Sequence, residues 1–274
     1  MSAIAATLSD SAVIAKRNLI KIKRVPDILI WTLMSPIMFV VLFGYVFGGA
    51  IEVPGMNYRE FFIAGIFAQT VIFGASWTGV GMAEDMTKGV IDRFRSLPMS
   101  RTAVLAGRTA SDIFANSLSI LIMGITGYLV GWRIRTGPLE TIGGILLLLA
   151  FAYAFSWIMA WFGLKVKTVE MVNNASFMFI FPLTFIANTF VPEQTLPGPL
   201  QTFAEWNPIS AVAQAGREAF GNVPSTEILR EVGMPPSDAW SLQNPVLYSL
   251  IWIGIILAIF IPLATREYTK AASR

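Results

Sequence analysis

Six stretches of the chain run close to or beyond a bilayer's thickness without one Lys, Arg, Asp or Glu: residues 28–47, 61–83, 113–132, 141–164, 171–187 and 245–264. A helix needs roughly 20 apolar residues to cross the hydrocarbon core, so each stretch predicts a membrane span. The fifth is short unless Phe190 and Val191 extend it. The expected fold class is therefore all-α integral membrane, with six transmembrane helices.

The polar intervals add elements of their own. Before the first span, Leu8, Ala12, Ala15, Leu19 and Ile22 recur at spacings of three and four, with Ser9 and Asp10 placed to cap a helix. Lys16, Arg17, Lys21 and Arg24 lie mainly off that stripe, the pattern of an amphipathic helix in the membrane interface. A plain juxtamembrane anchor and a lever packed on a cytoplasmic partner both fit it. The loop at 84–112 is long for a passive connection, and it sets Phe94, Leu97 and Met99 among Arg93, Arg95 and Arg101, with Pro98 to end one helix and Ser100 to cap another. Residues 188–244 carry Phe190, Leu196, Leu200, Phe203, Trp206, Ile209, Val212 and Phe220 between prolines. Short helices dipping into the outer leaflet suit that composition, because backbone at membrane depth must be satisfied internally.

Charge then orients the chain. Fifteen Lys and Arg residues fall in the N-terminal segment, the 84–112 loop, the loop after span four and the tail, against five in the opposite loops. By the positive-inside rule both termini are cytoplasmic. The organisation read from this is a cytoplasmic N-terminus with its amphipathic helix at 1–27, one transmembrane domain at 28–264 and a cytoplasmic tail at 265–274. The polar first 27 residues, and the length of the apolar run after them, do not match a signal peptide.

Composition closes several routes to chemistry. The chain is 55% hydrophobic and 14% charged, with a mean hydropathy of +0.63, and it has no Cys and no His. Disulfides, thiolate nucleophiles and imidazole bases or ligands are therefore excluded. No GxxxxGK[ST] phosphate loop, HExxH or GxSxG occurs, so neither ATP hydrolysis by a phosphate loop nor the familiar hydrolase chemistries belong to this chain. No catalytic residue and no metal site are expected, and the spans as bounded above hold no ionisable group of the kind proton-coupled carriers use.

What the spans do hold is aromatic and neutral polar. Phe67, Gln69, Phe73 and Trp77 in span two, with Asn174, Phe177, Met178 and Phe181 in span five, could line a pathway for bulky amphipathic molecules. For any one of them lipid contact and helix packing are the better reading, and only as a group do they suggest a path. Asn116 is expected as an interhelical hydrogen bonder, Pro36, Pro182 and Pro262 as kinks, and Gly44/Gly48 and Gly127/Gly131 as close-approach pairs.

Three stretches resemble the permeases of the ABC-2 type, within the daunorubicin-resistance-like exporters. They are Asp92-Arg-Phe-Arg-Ser-Leu-Pro-Met-Ser-Arg101 with Gly107-Arg108, then Phe181-Pro-Leu-Thr-Phe185 through Phe190-Val-Pro192, and Leu196-Pro197 with Phe203 and Asn207-Pro208. The resemblance implies a permease subunit of a bacterial plasma-membrane exporter, not itself an enzyme, pairing with a second permease subunit as homodimer or heterodimer. A separate ATPase chain would bind ATP and Mg, and no nucleic acid is implied. The loop at Arg93, Phe94, Arg95, Leu97, Pro98, Met99 and Arg101 would be the coupling helix seated in that ATPase. Spans two and five would border the path, the amphipathic segment would be a connecting helix, and the outer-loop helices a gate. Drugs, antibiotics or lipids are the implied cargo, with export of a polysaccharide or lipid-linked glycan as the alternative. A membrane-bound transferase and an inert scaffold are the competing classes outside transport.

Overall fold

The longest helices follow directly from local sequence. Asn57 caps Tyr58–Thr87 by accepting the Arg59 N–H at 2.9 Å, Glu60 sits in its first turn, and Gly89, at φ +64°, stops the chain after it. Pro138–Lys165 opens on a proline, whose missing N–H costs nothing there, and ends on Lys165. The computed structural model describes residues 36–48, 53–90, 101–166 and 168–271, with 13, 14, 20, 34 and 51 described singly. Within these lie α1 (Pro36–Val46, its end wound into a π-helical turn over Phe43–Phe47), α2 (Tyr58–Thr87), α3 (Arg101–Val130), α4 (Pro138–Lys165) and α5 (Val169–Phe185). A 3-10 turn at Glu193–Thr195 leads to α6 (Gly198–Trp206), α7 (Pro208–Phe220), α8 (Thr226–Glu231), α9 (Trp240–Gln243) and α10 (Pro245–Ala271).

The described residues are helical with no strand, and four helices, α2, α3, α4 and α10, are long and apolar enough to cross a membrane. The first expected span corresponds to a shorter apolar helix, α1, described only from Pro36, and the fifth to α5, which has 17 residues. The amphipathic segment at 9–24 lies outside the described residues except at Val13, Ile14 and Ile20. Outside them too are Arg93, Phe94, Arg95, Leu97, Pro98 and Met99, and of Arg101 only the backbone is described, opening α3.

Helix α2 is the axis, with 78% of its apolar window buried, against 22% for α10. Glycines make that possible by letting backbones touch. A Cβ on Gly163 of α4 would lie 2.3 Å from the Gly79 carbonyl, and one on Gly65 would lie 2.2 Å from that of Thr189. The expected pairs behave differently. Gly127 does pack on Ile63, but Gly131 sits at φ +106° with nothing within 4 Å, so it ends α3 instead of joining a helix contact. Pro182 and Pro262 lie inside α5 and α10 as expected.

The segment after α5 folds into short helices, and its apolar residues divide. Phe190, Ile209, Val212 and Phe220 are buried, while Leu200, Phe203 and Trp206 form an exposed face on α6. Asn207 builds the corner: its Oδ1 accepts the Ile209 N–H at 2.9 Å, capping α7, while its Nδ2 donates to the Leu183 carbonyl, one of those left open at the end of α5.

Candidate functional site

Along α2, Ile66, Gln69, Thr70, Phe73, Gly74 and Trp77 share one face by the three-and-four spacing of a helix. That face, with Ser76, meets Pro36 and Phe39 of α1, Ser119 of α3, and Asn173, Phe177 and Phe181 of α5 around a cavity of about 220 Å³. The cavity carries no charge. Its polar groups are amides and hydroxyls, and the Gln69 Oε1 is buried without a partner among the described residues.

Five of the eight candidate path residues, Gln69, Phe73, Trp77, Phe177 and Phe181, line this cavity. The other three do not. Asn173 lines it in place of Asn174, because 173, 177 and 181 repeat every four residues; Asn174 and Met178 fall on the next face and are exposed. Phe67, two positions from Gln69, points away from the cavity into a ring cluster with Trp132 and Phe220, at centroid distances of 5.4 and 5.5 Å. Asn116 bonds within its own helix, Nδ2 to the Asp112 carbonyl at 3.0 Å, and its Oδ1 lies against Gly74 without a partner among the described residues. That overturns the expected interhelical bond.

From the cavity a ladder of rings climbs toward the Tyr58 end of α2. Phe73 meets Phe177 at 6.0 Å, Phe177 meets Phe181 at 5.0 Å, Phe181 meets Phe185 at 4.0 Å and Phe185 meets Phe190 at 4.4 Å. Phe190 in turn contacts Phe43 and Phe62, and Phe62 stacks on Tyr58. Contacts of this kind add about 0.5–1.5 kcal/mol each beyond the area buried. The two aromatic stretches after residue 180 are thus one wall.

Both ends of that wall abut buried charge. At the Tyr58 end, Arg217 is fully buried. It donates from Nε to the Phe61 carbonyl at 3.1 Å and from an Nη to the Asn188 carbonyl, and its guanidinium lies 3.7 Å over the Phe61 ring. Burial lowers its pKa to about 10, opposed by nearby Glu193 and Tyr58, so it stays cationic at neutral pH. Glu193 accepts from Asn188 Nδ2 at 3.3 Å and from Gln194 at 3.1 Å. Toward the Thr87 end, Thr78 of α2 donates to Asp112 of α3, and Arg108 lies 3.9 Å from the same carboxylate while donating to the Trp77 carbonyl at 3.3 Å. A Cβ at position 81 would lie 1.7 Å from the Arg108 guanidinium, so a side chain there would displace the tip of the arginine. The third span's expected bounds miss this set: α3 starts at Arg101, not at 113, so Arg108 and Asp112, left in the loop by those bounds, lie on the helix and pack against α2.

Four apolar helices of membrane-crossing length, two of which, α2 and α3, line an uncharged aromatic cavity together with α1 and α5, are the features of a membrane protein. A match over residues 11–220 agrees, and the chain belongs to the ABC-2 type transporter family. It is 35% identical over 202 residues to the daunorubicin resistance ABC transporter permease protein DrrB1 of Streptomyces coeruleorubidus, covering 74% of this chain and 71% of that protein. It is 22% identical over 246 residues to the probable doxorubicin resistance ABC transporter permease protein DrrC of Mycobacterium tuberculosis, covering 89% and 82%. To the doxorubicin resistance permease DrrB of the same species it is 29% identical over 134 residues, covering 46% of each chain. The resemblance to daunorubicin-resistance-like permeases is thereby borne out, and the chain is a multi-pass membrane transport subunit.

Proposed function

We propose that this chain is the permease subunit of an ATP-driven exporter that moves hydrophobic or amphipathic small molecules, such as drugs, antibiotics or lipids, out of the cell. One observation carries the reading: the α1–α2–α5 cavity, walled by Phe39, Phe73, Trp77, Phe177 and Phe181, with only neutral polar groups among them. Sites for such molecules are mainly apolar, with a few polar groups that fix orientation. The names of the relatives support the same class of cargo.

In this reading α1 and α5 complete the first and fifth of six spans, both termini are cytoplasmic, and α6 to α9 dip into the outer leaflet with Leu200, Phe203 and Trp206 against lipid. Two permease subunits assemble, and ATP and Mg are held by a partner ATPase. The loop at 93–101 seats its apolar residues in that partner and carries the power stroke.

The test is co-expression with an ABC ATPase chain, followed by purification and ATP turnover in vesicles. Phe94→Asp or Leu97→Asp abolishes drug-stimulated turnover and transport while leaving membrane insertion intact; transport at the wild-type rate in both would end the docking role. Phe177→Ala raises the drug concentration needed for half stimulation about tenfold, the loss of roughly 1.4 kcal/mol of contact. An unchanged drug response would remove the cavity from the path.

A further inference from the structure

A second concavity lies away from the cavity, between α3 and α4. It is a groove of about 470 Å³ over Gly124, where an added Cβ would meet nothing within 4 Å. Leu121, Ile125 and Leu129 flank it on the exposed side of α3, and Phe67, Trp132 and Phe220 form its floor. The floor is rigid: the three rings lie 5.3–5.5 Å apart, and Trp132 spends its one donor on Asn222 Oδ1 at 2.6 Å.

The groove has a scale and a polarity. From Leu121 to Val130 the helix rises about 14 Å, the depth of one leaflet of a ~30 Å hydrocarbon core. At its end stands Arg133, stacked 4.0 Å over the Tyr128 ring, with Nη1 donating to the Tyr128 and Trp132 carbonyls at 2.7 and 2.8 Å. Among the described residues no carboxylate pairs with it, whereas Arg135 nearby holds Glu60 at 2.7 Å. A Tyr, a Trp and a free guanidinium edge mark a membrane–water interface, and a guanidinium prefers phosphate as a forked partner. A second apolar groove, about 640 Å³ between α4, α7 and α10, bears Glu140 and Glu218. Its charge repels phosphate, so the two are not equivalent.

We propose that the α3–α4 groove binds one anionic phospholipid, an acyl chain lying over Gly124 and the phosphate on Arg133. The site is independent of the transport reading and would outlive its failure. The test uses the full chain, purified in mild detergent and stripped of lipid, with its Tm read on addition of phosphatidylglycerol, phosphatidylethanolamine or inorganic phosphate. Phosphatidylglycerol raises Tm by about 2–4 °C, a gain of the size that one occupied site gives, phosphatidylethanolamine raises it less, and phosphate alone does nothing. Gly124→Phe fills the groove and removes the rise; Ile125→Trp, at an exposed position, does the same by a second route. Gly143→Phe, in the acidic groove, leaves the rise intact, and Arg133→Gln cuts it. A rise with inorganic phosphate alone, a full rise in both groove-filling variants, one indifferent to Arg133→Gln, or splitting of an oligomer by Gly124→Phe would each overturn the proposal.

Discussion

The two ends of α2 solve one problem in different ways. Each brings an arginine into an apolar bundle, where an unpaired charge is costly. Near Thr78 the arginine arrives with a carboxylate: Arg108 and Asp112 sit one helical turn apart on α3, and Thr78 closes the set from α2. Near Tyr58 the arginine comes without a direct ion pair. Arg217 is held by two backbone carbonyls and a ring, and Glu193 acts on it from a distance. The first arrangement joins two neighbouring helices. The second joins segments far apart in the chain, α2, α7 and the residues just after α5, through one side chain. A lock made of one residue should be the more fragile.

Removing that residue is the strongest way to test the contrast. Arg217→Ala leaves the Phe61 and Asn188 carbonyls without their guanidinium donor and empties the buried space over the Phe61 ring, a loss of about 3–5 kcal/mol. Thermal unfolding in detergent checks it, alongside Arg217→Lys, which keeps the charge but not the fork and should recover only part. A loss for Arg217→Ala below that of any substitution at Asp112 would reverse the comparison.

The backbone crossing beside the Thr78 end comes next. Gly163→Ala drives a methyl toward the Gly79 carbonyl, 2.3 Å from the position its Cβ would take, and forces α4 off α2 at about 1–3 kcal/mol. Gly143→Ala on the same helix meets nothing within 4 Å, and it should be neutral or slightly stabilising because Ala favours helix. Equal Tm values for the two would mean that the crossing is looser than its geometry.

Hydropathy made α2, α3, α4 and α10 legible, because a charge-free run of that length spans a bilayer and is too apolar for a helix that faces water. The same rule hid the locks. A span drawn from charge-free windows must stop at the first ionisable residue, so the third expected span begins at 113, one position past Asp112, although the helix continues back to Arg101. Counting charges puts Arg217 in a loop, yet a signal for its burial is present. It falls on the stripe Ile209, Val212, Ala213, Gly216 and Phe220 at helical spacing, which places a cation squarely on a buried face. Five of eight path residues share the cavity because aromatic content marked the right helices. The misses at Phe67, Asn174 and Met178 are errors of rotation about a helix axis, which an all-apolar sequence does not fix. The face of α5 is set by its contacts, and those lie far off in the chain.

The smallest expected effect bears most directly on how the Thr78 end holds. Thr78→Val deletes the hydroxyl that Asp112 accepts from while keeping the side chain's shape, and the net worth of such a bond to a charged acceptor is about 1.5–3 kcal/mol. The measured loss should fall at or just below the low end, about 1–1.5 kcal/mol, because Arg108 remains beside the carboxylate. Asp112→Asn should cost a similar amount for the opposite reason: the amide oxygen can still accept from Thr78, but the charge that offsets Arg108 is gone. If the three groups act as a unit, the Thr78→Val/Asp112→Asn double variant loses less than the sum of the two, by about 0.5–1 kcal/mol. Strict additivity would instead mean that the Thr78 hydroxyl contributes the same whether or not position 112 carries a charge, and the three groups would not act as a unit.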